Sequence, residues 1–242
     1  MNFELDTHTH TLASGHAYNT IREMAMAARD KGLKLLAITD HAPKMPGAFT
    51  DFYFMNLGAV DRNMFGVELL LGSEVNILDT DGNVDLDDKI LKKLDIVIAS
   101  LHLPCIKPGS REENTMAYIN AMKNPYVNII GHPDDGNFPV DYEALVKAAK
   151  EYNVLIEINN SSLNPKNYRI DTRENDIELL NLCKKYNLPV VVGSDAHTDS
   201  SVGDFKLAHE IIEFVDFPES LVVNCSTDEL KKYVNKYKHT NV

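Results

Sequence analysis

FELDTHTH, residues 3–10, is a short extended run that ends in two histidines spaced two apart. Side chains two apart on a strand point the same way, so His8 and His10 can share one ligand. The pattern recurs down the chain: a β-type run, then an imidazole or a carboxylate. T-D-H at 39–41 places His41 after the run Leu33–Thr39. G-S-E closes the run Glu68–Glu74 on Glu74, and S-L-H at 100–102 sets His102 after Asp95–Leu101. G-H-P at 131–133 puts His132 after Val127–Gly131. S-D-A-H at 194–197 puts Asp195 and His197 after Val190–Gly193. The run Val154–Ile158 is followed by Asn159 and Asn160 instead, and His16 lies in the loop after the first run, Phe3–Thr7.

Several of these runs are almost wholly apolar, as parallel strands covered on both faces must be. Leu221–Asn224 is a weaker strand candidate. Helical patterns alternate with the runs. Ile21–Lys31 opens on Thr20 with Glu23 three residues on, a capping-box spacing, and stops at Gly32. Tyr142–Tyr152 and Glu174–Tyr186 have helical periodicity. Ser226 with Glu229 opens a final helix through about Tyr237. Alternating strands and helices imply an α/β fold with a parallel sheet and right-handed crossovers. Polar residues follow nearly every strand rather than one switch point. That favours a closed barrel, parallel strands with outer helices, whose strand ends meet at one mouth. With no linker, repeat or low-complexity stretch, residues 1–242 are expected to form a single domain.

At that mouth nine candidate ligands converge: His8, His10, His16, His41, Glu74, His102, His132, Asp195 and His197. Neutral imidazole with carboxylate suits Zn²⁺, Mn²⁺ or Fe²⁺ better than Ca²⁺, which takes oxygen. Nine donors exceed one tetrahedral site. Two or three divalent ions fit, and a bridging carboxylate holds two about 3.5–4 Å apart. Asp6 and Asp40, beside ligand histidines, are placed to orient imidazoles or to cap turns. Lys44, Lys107, Arg111, Lys166 and Arg169 follow strands two, four and six and are candidates to hold a phosphate. His209, on a helical stretch, and His239, in the tail, read as solvated. Cys105 reads as packing or pocket wall, Cys183 as helix core, and Cys225 precedes a helix start.

A formal charge of −12 disfavours a long polyanion, so no stable nucleic-acid partner is expected. A small phosphorylated substrate remains compatible. The first residues carry no basic or apolar signal segment, and no apolar run approaches a membrane span. Three cysteines without a CxxC pair argue against a disulfide framework and for a cytoplasmic location. A homo-oligomer is compatible with the sequence, through the final helix.

The motifs at 6–10, 39–41, 74, 100–102, 131–133 and 194–197 resemble those of the PHP (polymerase and histidinol phosphatase) family, in its small, stand-alone phosphatase branch. The resemblance spans nearly the whole chain and departs at none of the nine ligand positions. It implies a distorted (β/α)7 barrel and three divalent metals, Zn favoured, with Mn or Fe as alternatives. One metal would take His8, His10, Glu74 and Asp195. A second would take Glu74 as bridge with His102 and His132, and a third His16, His41 and His197. The implied activity is a phosphatase acting on small phosphomonoesters through a metal-activated water. Glu74, Asp195 and His197 are its expected catalytic residues, Asp195, His197 or a water protonating the leaving alkoxide. Competing readings are a phosphodiesterase or exonuclease on nucleotides or short oligonucleotides, a narrower histidinol-phosphate phosphatase, and a non-catalytic metal-binding protein. An amidohydrolase-type site is disfavoured because strand four ends in His102, not in a bridging lysine.

Overall fold

The computed structural model describes residues 1–238, so His239 lies outside the described residues. Its strands are β1 (Leu5–Asp6), β2 (Leu35–Ile38), β3 (Asn63–Met64), β4 (Val67–Leu71), β5 (Ser73–Asn76), β6 (Val97–Ser100), β7 (Ile129–Ile130), β8 (Leu155–Asn159) and β9 (Val190–Gly193). They form two sheets, ordered β1-β2-β4-β3 and β5-β6-β7-β8-β9. Every pairing is parallel except the hairpin β3–β4.

The run expected over Glu68–Glu74 is two strands, β4 and β5, that change sheets at Gly72. A Cβ on Gly72 would stand 1.9 Å from the Ile96 carbonyl oxygen, so only glycine lets the run pass from β2 to β6. The two sheets meet again through single parallel bridges, His41 with Glu74 and Thr9 with Ala196. Backbone hydrogen bonds reinforce the second seam: His10 N donates to Ala196 O and Asp195 N to His8 O, both at 2.9 Å. Seven staves (β1, β2, β4 with β5, then β6 to β9) therefore come full circle as a distorted (β/α)7 barrel.

Alternation along each strand sorts its residues. Leu36, Ile38, Leu69, Val97, Ile130, Ile156 and Val192 belong to the large core beneath the outer helices. Leu35, Leu70, Ile98, Ile129, Leu155 and Val191 form a second core inside the barrel. Two residues further along four staves, the same parity carries Gly72, Ser100, Glu157 or Gly193, and four further Glu74, His102, Asn159 or Asp195. The interior is thus apolar at its floor and polar at its mouth.

The outer helices are α1 (Ile21–Asp30), two short segments α2 (Asp51–Met55) and α3 (Asp88–Leu91), α4 (Arg111–Met122), α5 (Tyr142–Tyr152), α6 (Thr172–Tyr186) and α7 (Lys206–Phe214). The capping box at Thr20 and Glu23 forms as expected, and an unforeseen one, Ser110 with Glu113, opens α4. The C-terminal expectation is corrected. In place of one helix there are α8 (Thr227–Lys231) and α9 (Asn235–Lys238). Ser226 makes no capping bond, because Glu229 pairs with Lys232 at 2.6 Å instead. Leu221–Asn224 is not a strand but tight turns with one bridge to Val190. There the Asn224 side chain stands in for a ladder. It accepts from Val192 N at 2.7 Å and donates to Val192 O at 2.8 Å and Leu5 O at 3.1 Å, joining β9 to β1. Val223, Leu230 and Val234 plug the floor. No helix among the described residues is long and apolar enough to cross a membrane.

Gly72→Ala is expected to destabilise the fold by about 1–3 kcal/mol, because the clash is with backbone that cannot rotate away. A urea midpoint unchanged from the parent would show that the sheet switch does not depend on this close approach.

Candidate metal centre

The strand ends bring the expected residues together around one buried carboxylate. Glu74, 1% exposed, has five imidazoles about it. His132 Nε2 and His102 Nε2 lie 2.8 and 3.1 Å from its Oε1. His41 Nδ1, His8 Nε2 and His10 Nε2 lie 2.8, 3.3 and 3.6 Å from its Oε2. Asp195 Oδ1 approaches His10 Nε2 at 3.2 Å and His8 Nε2 at 3.7 Å. Three donor sets lie within 4.8 Å of one another: His8, His10 and Glu74; His41, Glu74 and His102; His10, His41 and His197. His16 sits at the exposed outer edge, its ring stacked on His41 and His197 at centroid distances of 4.9 and 4.8 Å. Two of the nine residues hold left-handed backbone, His132 at φ 30° and Asp195 at φ 54°. Such strain in non-glycine residues gathers at functional sites.

Hydrogen bonds at the far side of three rings fix which nitrogen faces inward. His8 Nδ1 lies 2.7 Å from Glu157 Oε1, a carboxylate that only accepts. His10 Nδ1 lies 3.0 Å from Ser14 Oγ, whose own proton goes to Asp40 Oδ1 at 2.7 Å. His102 Nδ1 lies 2.8 Å from Asn76 Oδ1, since the Asn76 amide group donates to Asp85 Oδ2 at 2.6 Å. In all three, Nδ1 carries the proton and the Nε2 lone pair points at the carboxylates. These buried Nε2 atoms, with His41 Nδ1 and Glu74 Oε2, have no hydrogen-bond partner. Acceptors facing acceptors in a buried site are tolerable only with a cation between them. The donor set therefore fits divalent metal ions.

The electrostatics agree. Burial raises the Glu74 carboxyl, but His102, His8 and His41 outweigh it and hold it well below the usual range. Asp195 is likewise depressed: burial opposes, while His8, His10 and Arg169 prevail. Burial, with nearby imidazoles, pushes His10 well down, and burial also lowers His102. Partial burial and the neighbouring His41 and His197 bring His16 down to about 4. His8 goes the other way. Burial lowers it, but Glu157, Glu74 and Asp195 raise it well above 6.5, so without a cation a proton takes the inward position. Metal binding at this ring must release that proton.

Of the two aspartates expected to orient imidazoles, Asp40 does so through Ser14, while accepting from Thr11 N at 2.6 Å and Tyr53 OH at 2.6 Å. Asp6 serves the backbone, accepting from the amides of Ser194 at 3.1 Å and Gly203 at 3.0 Å. Of the five cationic candidates only Arg169 lines the cavity above the centre. Its Nη1 reaches Ser162 Oγ at 2.8 Å and Asp195 Oδ2 at 3.2 Å. Arg111 Nε is spent on Val140 O at 3.0 Å, and the side chains of Lys44, Lys107 and Lys166 are exposed outside the lining. Asn160 caps α7, accepting from Leu207 N at 2.8 Å, and Asn159 donates to Glu157 and Asp195. His209 faces Glu213 at 3.3 Å, away from the centre. Burial pushes the Cys105 thiol up to about 12, and all three cysteines are free.

Sequence reasoning missed Glu157, Ser14 and Asn76. Glu157 was visible as a lone charge in the apolar run Val154–Ile158, fully buried here. It also accepts from His132 N at 2.9 Å. Gly193 makes room for it, as a Cβ there would lie 2.0 Å from Glu157 Oε1.

A PHP domain model matches residues 6–164 and a PHP-associated model residues 179–213. A Clostridium novyi protein named "Probable phosphatase" is 49% identical over 234 residues, covering 97% of this chain and 95% of that one. A Thermoanaerobacter pseudethanolicus protein of the same name is 49% identical over 239 residues, 98% of this chain and 97% of the other. The chain belongs to the PHP family. Among solved structures, histidinol phosphate phosphatase from Lactococcus lactis, complexed with zinc, L-histidinol and phosphate, superposes with a TM-score of 0.61. At 18% identity, covering 89% of this chain and 94% of that chain, it shares the fold.

Glu157→Gln should weaken metal affinity about 10–100-fold, read by chelator competition, because His8 loses its orienting carboxylate. Unchanged affinity would remove Glu157 from the centre. In the metal-free protein, the unfolded chain takes up protons near pH 6.5 that folded His10 and His102 refuse. His8, Asp6, Asp134 and Asp176, all raised by the fold, hold protons in that range that the unfolded chain lacks, so the two sets offset one another between pH 6.5 and 5. In stronger acid the unfolded chain protonates Glu74 and Asp195 while their folded carboxyls, held well below the usual range, stay ionised, so stability is expected to fall as pH drops through about 4.5 and below. Urea midpoints of chelator-treated protein across that range check the sign.

Proposed function

We propose that this chain, as one catalytic unit over residues 1–242, is a metal-dependent phosphatase that hydrolyses small phosphomonoesters at a trinuclear His/Asp/Glu site. One observation carries the reading: buried imidazole lone pairs of His8, His10 and His102 converge, unpartnered, on the Glu74 carboxylate. The phosphatase names of the relatives that align over almost the whole chain support it. So does the metal and phosphate content of the Lactococcus neighbour, which favours zinc among the candidate ions.

Bound divalent cations supply Lewis acidity, lowering the pKa of a water from about 15.7 toward about 7 and offsetting phosphoryl charge. The chain's own groups do the rest. Glu74, with an oxygen toward each ligand group, keeps the donor sets in register. Arg169 is the cation of the cavity and meets phosphate oxygens from the side of Asp195. Asp195, held ionised, gives no proton to the leaving group and instead acts as a hydrogen-bond acceptor that orients the attacking water, whose proton passes to solvent. His197, its Nδ1 donating to Asp195 O at 3.0 Å, presents its other nitrogen to the cations, and the leaving alcohol oxygen takes its proton from water in the open cavity. A single arginine suits one phosphoryl group and leaves nothing to track a second, which favours monoesters over nucleotide polymers.

Glu74→Ala should lose metal and reduce phosphate release by roughly 10²-fold or more. Elemental analysis and a monoester assayed beside a diester test this together. Full turnover by the variant, or diester hydrolysis exceeding monoester, would sink the reading. Bound metal with no hydrolysis of either ester would mark a non-catalytic metal protein.

A further inference from the structure

The cavity above the centre has a volume of about 500 Å³, a size that takes a metabolite-sized ligand. Its outer wall is apolar. Met45 and Pro46 come from the loop after β2, Leu103 and Pro104 from the loop after β6, and Tyr168 from the loop after β8. Leu103 and Tyr168 are 41% and 58% exposed, so both present apolar surface to a ligand in the cavity.

Asn167 and one arm of Arg169 already have partners. Asn167 Nδ2 donates to Ser161 O at 2.9 Å, and Asn167 Oδ1 accepts from Arg169 N at 3.3 Å. Arg169 Nη1 is held by Ser162 and Asp195. Asp195, itself part of the centre, is the lone carboxylate among the lining residues, and Arg169 the lone arginine or lysine. The cation centre takes up Asp195 and the phosphate takes up Arg169. An ammonium group on the substrate's alcohol would leave water and find no anionic partner, which burial penalises. A second anionic group would find no free cation.

We propose that the alcohol part of the substrate is uncharged and lays an apolar face on this wall. The site then takes monophosphates of aryl- or alkyl-bearing alcohols and discriminates against amino alcohols and against alcohols bearing another anion. Tyr168, Leu103 and Pro104 are its specificity-determining residues. Histidinol phosphate, an amino-alcohol ester, is on this basis a poor substrate. The assignment rests on the phosphomonoesterase reading above but is tested apart from it.

Metal-loaded protein is titrated calorimetrically with 2-phenylethylphosphonate and 2-aminoethylphosphonate, whose carbon–phosphorus bonds resist hydrolysis. The aryl compound should bind about tenfold or more tightly. Tyr168→Ala, at an exposed position where the fold tolerates truncation, should bring the ratio of dissociation constants toward one. Equal affinities, tighter binding of the amine, or a ratio unmoved by both Tyr168→Ala and Leu103→Ala would overturn the proposal. The matching phosphate esters are assayed in parallel. If none is hydrolysed while the binding preference persists, the phosphatase reading falls and the wall assignment stands. If neither phosphonate binds, both fall.

Discussion

A carboxylate at 1% exposure with five imidazoles within 3.6 Å sets the terms for this molecule. Unpaired buried charge costs several kcal/mol per ion, a large share of the 5–15 kcal/mol by which a domain is stable. The fold therefore has to hold Glu74 and its ring of histidines in a geometry where cations repay that penalty. Glu74 can sit at the centre because Gly72 moves its strand from one sheet to the other just below. Three rings keep their lone pairs inward because Glu157, Ser14 and Asn76 take up their outer protons.

The same constraint explains why charge is graded along the barrel. Alternate positions of one stave run Leu70, Gly72, Glu74, Asn76, and of another Leu155, Glu157, Asn159. The floor supplies the hydrophobic burial that drives folding, and the polar upper turns are supported on it. The two seams carry single bridges, His41 with Glu74 and Thr9 with Ala196, both made by candidate ligands or their neighbours. Barrel closure and the centre thus draw on the same residues.

Much of this was legible in the sequence, and the exceptions have physical reasons. The seven runs stood out because parallel strands buried on both faces leave no polar alternation, although hydrogen bonding trims them, β1 to Leu5–Asp6 and β7 to Ile129–Ile130. The helix Tyr142–Tyr152 was legible to the residue, since its caps are local. The Ser226 capping box was misleading because Glu229 had a lysine three residues on as a competing partner. The nine ligand candidates were visible because strand ends share a rim. Glu157 was not, because its value lies in a contact with His8, 149 positions away. Four of five cationic candidates pointed elsewhere because side-chain direction in a loop is not written in its composition.

Asn224 bridging Val192 to Leu5, with Val223, Leu230 and Val234 under the floor, has a consequence for biosynthesis. A ribosome delivers residues 6–10 first and the segment that seals their strand last, nearly the whole chain later. Contacts of such sequence separation form slowly and late, since loop closure must precede their reward. The seam that joins β1 to β9, tied by a contact 219 positions apart, is therefore expected to close later than the pairings between neighbouring strands.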